Sequence, residues 1–167
     1  MDKKNDESLE SRPPTLEDLL ELCRNLNQNN VAYIVVGGMA VIQHGFVRAT
    51  EDIDLLVDAS EDNEKRLKKA LLYLPDKAVN ELRDNDIENY TVIRVADEIV
   101  IDLMKSAGGI EYNEASKSIL HIDISGIIIP FASIELLLKM KQTLREKDSI
   151  DRMFLMEKIK KMNKNKL

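Results

Sequence analysis

The sequence predicts an α/β (α+β) fold, a mixed β-sheet flanked by helices with further helices at its carboxy end. Three observations predict it. Short β-branched apolar runs alternate along the chain with stretches of helical apolar spacing, which gives the order α-β-α-β-α-β-β-(β-β)-α-α. Two pairs of strand-like runs are separated only by short turn-type segments, so antiparallel neighbours accompany the crossovers that helices make. The composition, 44% hydrophobic but 4% aromatic over 167 residues, suits one domain whose core is Leu, Ile, Val and Met.

Residues 1–14 are polar and charged and are expected to be a flexible amino terminus before a single domain over 15–167. After Pro13-Pro14, Thr15 with Asp18 three residues on makes a capping box, and Leu16, Leu19, Leu20, Cys23 and Leu26 share one face of a helix reaching Asn29. Residues 31–36 form a short buried strand that ends on Gly37-Gly38; residues 39–44 then form a short helix stopped by Gly45. Residues 51–59 alternate, with Ile53, Leu55 and Val57 on one side and Asp52, Asp54 and Asp58 on the other.

An amphipathic helix is expected over 61–74, and a shorter one after Pro75 supported by Val79 and Leu82. Residues 90–95 and 98–104 read as a hairpin turning at Ala96-Asp97, and 119–122 with 127–129 as another around Asp123-Ile-Ser-Gly126. Ser133 caps a helix to about Thr143, and 149–162 form the last one. Its stripe of Met153, Met156, Ile159 and Met162 suits a core or a subunit contact, hence a possible homodimer.

No apolar run approaches the roughly 20 residues of a membrane span, and the first residues lack the apolar stretch of a secretory signal, so no membrane association and a cytoplasmic location are expected. Cys23 is alone, and with only His44 and His121 beside it, soft-metal chemistry has too few ligands. Any metal must be held by oxygen. The formal net charge of −6 conceals asymmetry: six carboxylates and no base lie between Ala49 and Asp62, whereas six basic residues face only Glu157 from Arg152 onward.

The chemistry concentrates in Val36-Gly37-Gly38-Met39-Ala40 and in Asp52-Ile53-Asp54-Leu55, with 13 residues between Gly38 and Asp52. Two glycines closing a strand and opening a helix let backbone approach a phosphate closely. Asp52 and Asp54, two apart on a strand, share a face and repel; at about 4 Å, like charges cost on the order of 1 kcal/mol in water and about 4 at an effective dielectric of 20. Such a pair favours a cation, and all-oxygen ligands near phosphate favour Mg²⁺ or Mn²⁺. Asp102, polar amid Ile99-Val-Ile and Leu-Met104, completes a three-carboxylate site if its strand lies beside that of Asp52.

Gly-Gly, Asp-x-Asp on a strand and a later lone Asp together resemble the nucleotidyltransferase superfamily related to DNA polymerase β. A second segment, Pro130-x-x-Ser133, Lys139-Met-Lys141 and Arg145-Glu-Lys147-Asp148-x-x-Asp151, resembles small bacterial nucleotidyltransferases, among them antibiotic-modifying enzymes and the toxins of type IV toxin-antitoxin pairs. The resemblance spans about 31–155. Gly-Gly-Met-Ala-Val departs from the Gly-Ser and Ala-Arg-Gly turn usual in the small antitoxin-type members, which favours the toxin or antibiotic-modifying branch.

The resemblance implies a nucleotidyltransferase fold and transfer of a nucleoside monophosphate from an NTP to an acceptor hydroxyl or phosphate, with pyrophosphate leaving. The acceptor would be tRNA, a protein or a small molecule such as an antibiotic, and an antitoxin would be a partner. Gly37 and Gly38 would seat phosphates, Asp52, Asp54 and Asp102 would hold the metal ions, and Asp102 would help take the acceptor's proton. Arg48 and Thr50 would touch triphosphate, while Lys141, Arg145 and Lys147 would face the nucleotide. The alternative is a catalytically silent nucleotide-binding or protein-interaction module on the same fold. Singly, each motif has an ordinary explanation: a turn, a solvated strand face, or a helix junction capped by Asp148 or Ser149.

Overall fold

The computed structural model describes residues 10–143 and 145–166. Its centre is a six-stranded mixed sheet in the order β3-β4-β2-β1-β8-β7, built from β1 (Tyr33–Val36), β2 (Asp52–Val57), β3 (Val92–Ala96), β4 (Val100–Met104), β7 (Ile119–Ile124) and β8 (Ile127–Ala132). A two-stranded ribbon of β5 (Ser106–Ala107) and β6 (Ile110–Glu111) lies outside it and leads into the short α5 (Tyr112–Ala115). The mixed sheet with flanking helices is the expected architecture.

The sheet is mixed because its connections differ in length. β1 and β2 are antiparallel, whereas β2 and β4 are parallel, joined through α3 (Glu61–Ala70), two 3₁₀ turns (Leu71–Tyr73 and Ala78–Glu81), α4 (Asp86–Asn89) and β3. β1 and β8 are also parallel. β7 and β8 form a hairpin longer than expected, turning on Ser125-Gly126 alone, both at positive φ (54° and 84°) as a two-residue turn of matching twist requires.

α1 (Leu16–Gln28) carries the anticipated capping box of Thr15 and Asp18. Its buried face is Leu19, Leu22, Cys23 and Leu26, while Leu16 is half-exposed, so Leu22 takes the place expected of Leu16. Together with Ile34, Ile53, Leu55, Leu67, Ile101 and Phe131 these side chains form one core cluster around the sheet. Of the residues expected to be flexible, 1–9 lie outside the described residues. Ser11 and Arg12 are tied to the β3–β4 turn: Ser11 Oγ donates to the Asp97 carbonyl (2.6 Å) and the Arg12 amide to the Glu98 carbonyl (2.9 Å).

Two boundaries differ from expectation in ways that matter for the site. The β3–β4 turn is not Ala96-Asp97 but the three residues after Ala96, since Ala96 pairs with Val100. Asp97 drives this: buried, it accepts from the amides of Asp76, Ala78 and Glu98 (3.0, 3.0 and 2.8 Å), so its carboxylate organises the turn. Burial pushes its pKa up, but these three donors outweigh that and hold it below the usual carboxylate value. The last helix, α7 (Glu146–Lys164), starts three residues earlier than Ser149, and α6 (Ile134–Met140) stops before Thr143. Among the described residues no helix is long and apolar enough to cross a membrane.

Candidate active site

Strand pairing assembles three carboxylates. Asp52 and Asp54 project from one face of β2, and the parallel register places Asp102 of β4 level with Asp54. Ligand oxygens from the three side chains lie within 4.8 Å of one another. Asp54 is pushed up to about 7 by burial first and then by the charges of Asp52 and Asp102, with Lys141 and Lys147 opposing. Asp52 is raised too, by burial and by Asp102.

The glycine turn belongs to this cluster. β1 runs antiparallel to β2 with Val36 opposite Asp54, so Gly37 leaves the sheet directly beside that carboxylate. Gly37 has φ +63°, and a Cβ there would stand 1.9 Å from Asp54 Oδ2. A Cβ on Gly38, the next residue of α2 (Gly37–Gln43), would stand 2.6 Å from Thr50 Oγ1 and 3.0 Å from Arg48 Nη2. Both glycines are therefore required by close packing against the Arg48–Asp54 segment.

The described structure brings most of the sequence-predicted residues together. A cavity of about 90 Å³ beside Asp54 is lined by Gly37, Lys141, Arg145 and Asp148 among others. On the other flank a recess of about 250 Å³ is lined by Ser11, Pro13, Glu51, Asp52, Arg94 and Val100. Lys147 is exposed, near enough for its charge to act on Asp52 and Asp54. Arg48 and Thr50 pack behind Gly38 instead: Thr50 Oγ1 donates to the Asp52 carbonyl (3.2 Å), and Arg48 Nη2 donates to Asp151 (3.0 Å).

Asp148 is not the cap of α7. It and Asp151, one turn apart and each with 1% of its side chain exposed, receive the basic residues of the carboxy-terminal motif. Lys141 Nζ lies 3.2 Å from Asp148 and 2.9 Å from Asp151, and Arg145 Nε lies 2.9 Å from Asp148. The Thr143 hydroxyl also donates to Asp148. Burial would raise Asp148, yet Thr143, Arg145 and Lys141 together hold it below the usual carboxylate value. Ile159 is partly buried, but Met153, Met156 and Met162 face solvent rather than the core, Met153 at 67% exposure.

Sequence reasoning missed Arg94. It pairs with Asp102 across the β3–β4 ladder and donates to both carboxylate oxygens (Nε to Oδ1 and Nη2 to Oδ2, each 2.9 Å), with Nη2 also 3.4 Å from Asp52 Oδ2. The expected two-residue turn at Ala96-Asp97 would have set Asp102 opposite Thr91. Only the longer turn organised by Asp97 puts Arg94 there.

The metal implied by the resemblance fits these residues: three carboxylates converge with ligand oxygens within 4.8 Å of one another, and the two on β2 are raised by burial and by their acidic neighbours. No family model and no curated protein matches the chain. Among solved structures, a crystal structure of a candidate nucleotidyltransferase from Thermotoga maritima superposes with a TM-score of 0.51 at 17% identity, covering 89% of this chain and 90% of that one. The likeness defines the fold as nucleotidyltransferase-like.

Proposed function

We propose that this chain is a nucleotidyltransferase that uses Mg²⁺ or Mn²⁺ to transfer a nucleoside monophosphate from an NTP to an acceptor hydroxyl or phosphate. The observation that carries the reading is the convergence of Asp52, Asp54 and Asp102 beside the Gly37 turn, on a fold shared with a candidate enzyme of this class. Divalent ions held by the three carboxylates would stabilise the attacking and leaving oxygens of an in-line displacement.

The chain's own groups have separable tasks. Asp102 accepts the proton of the acceptor hydroxyl as its oxygen bonds to the α-phosphorus; the α–β bridge breaks and pyrophosphate leaves. Gly37, with no Cβ, leaves Asp54 open to the phosphates. Lys141 and Arg145 line the cavity at Asp54, and Lys147 adds charge from its rim; they face the anionic end of the nucleotide. Asp148 and Asp151 fix Lys141 from below, and Arg48 and Thr50 support the Gly38 side. The acceptor is tRNA, a protein or an antibiotic-like small molecule, as in the toxin or antibiotic-modifying branch. A second copy of the chain or a cognate antitoxin, meeting the exposed Met face of α7, belongs to the same proposal.

Incubation with each α-labelled NTP, Mg²⁺ and a pool of tRNA, protein and small-molecule acceptors tests it. Labelled acceptor and released pyrophosphate are expected, both lost in Asp52→Asn. Labelling that survives this substitution overturns the carboxylate assignment, and no labelling from any pool favours the silent module.

A further inference from the structure

Arg94 occupies a position that the proposed transfer reaction does not use. Its backbone is held opposite Asp102 by ladder hydrogen bonding on β3 and β4, so its side chain cannot be far from the three acids in any state that keeps the sheet. Its fork meets Asp102 with both nitrogens and reaches Asp52 with one of them. The Arg94 side chain is 60% exposed, whereas the side chain of Asp102 beneath it is 9% exposed. An exposed cation thus lies over a mostly buried carboxylate.

We propose that Arg94 is the resident counter-cation of the carboxylate site, occupying Asp102 and Asp52 until a divalent ion displaces it and so setting the ion concentration at which the site fills. The inference rests on the divalent-ion reading above and concerns what that ion must compete with. Carboxylate oxygens that accept two charge-assisted hydrogen bonds are less available to a metal, and each bond must be released or redirected before both oxygens are free. Release is inexpensive because the guanidinium is mostly solvated and the recess between Ser11, Pro13 and Asp52 gives it somewhere to go. Asp54 receives no such bond from Arg94, so its oxygens are open to an incoming ion while those of Asp102 are still held. A guanidinium that merely braced the loaded site would have the opposite effect, since its removal would loosen the ligands.

Mn²⁺ titration of the full chain by electron paramagnetic resonance, without nucleotide, separates the two. Competition predicts that Arg94→Gln binds Mn²⁺ at least three-fold tighter than wild type, with Arg94→Lys, which keeps the charge but loses the fork, in between. It also predicts that metal-free Arg94→Gln melts lower than wild type and gains more on adding Mn²⁺. Equal or weaker Mn²⁺ binding by both variants, where wild type binds, overturns the counter-cation role and leaves the transferase reading standing. No Mn²⁺ binding by wild type or either variant at millimolar concentration overturns both. Arg94→Lys, which preserves the charge balance of the sheet, keeps the comparison readable if Arg94→Gln folds poorly.

Discussion

Two groups of acids lie within the same small region and are treated in opposite ways. Asp148 and Asp151 are buried with cations against them: Lys141 between the two, Arg145 on one and Arg48 on the other, and Asp148 sits below the usual carboxylate range. Asp52, Asp54 and Asp102 face one another, with one arginine on Asp52 and Asp102 and none on Asp54, which is pushed up to about 7. The first arrangement is electrostatically complete and stiffens the junction of α6 and α7. The second is incomplete, and a fold retains such a cost where an added cation removes it.

Breaking the completed group has the largest effect. Asp151→Ala leaves Arg48 without its acid and the buried Lys141 with Asp148 alone, and is expected to cost about 3 kcal/mol in urea unfolding. Gly37→Ala places a methyl group into the Asp54 carboxylate at a positive φ, and a loss of about 2–3 kcal/mol with impaired Mn²⁺ binding is expected. Removing an acid from the incomplete group has the reverse sign. Asp54→Asn in EDTA is expected to raise stability near neutral pH by about 1–3 kcal/mol while abolishing nucleotide transfer, measured by melting and by the labelling assay.

The pH dependence sharpens the contrast. The folded chain holds the Asp54 proton up to about 7, against about 4 when unfolded, so it binds that proton more tightly than the unfolded chain does. The contribution is complete below about pH 4 and is lost as pH rises to about 7. Asp148 works the other way: its lowered folded value supports stability above the ordinary carboxylate pKa and loses it on acidification. In EDTA, the melting difference between wild type and Asp54→Asn should therefore widen from pH 4 to 7 and then level off. For Asp148→Asn the gap should close as pH falls. The smallest effect is at exposed Lys147: Lys147→Ala is expected to shift stability by no more than about 0.5 kcal/mol while raising the KM for NTP.

Much of this was legible from residue order. Thr15 and Asp18 define the start of α1 by local hydrogen bonding, and the period of two in β2 places Asp52 and Asp54 on one face whatever surrounds them. The glycine pair signals a tight approach because no other residue tolerates it. Less legible were features whose cause lies far along the chain. The exposed Met153 follows from which face of α7 meets Phe46 through Phe154, and the start of α7 at Glu146 has no side-chain cap to mark it.

Residue order was enough for the main strands and helices, though not for the β5–β6 ribbon, α4 or the end of α3 at Ala70, and for the shared face of the aspartate pair and the glycine at Gly37, since backbone sterics and side-chain periodicity act over a few residues. Only the tertiary structure decided that β4 lies parallel to β2 with Asp102 level with Asp54, and that Arg94 stands over both Asp102 and Asp52. Strand order and register are set by distant contacts. Here Asp97 gathers three amides into a longer turn, and a turn of different length would have moved the arginine away from the acids.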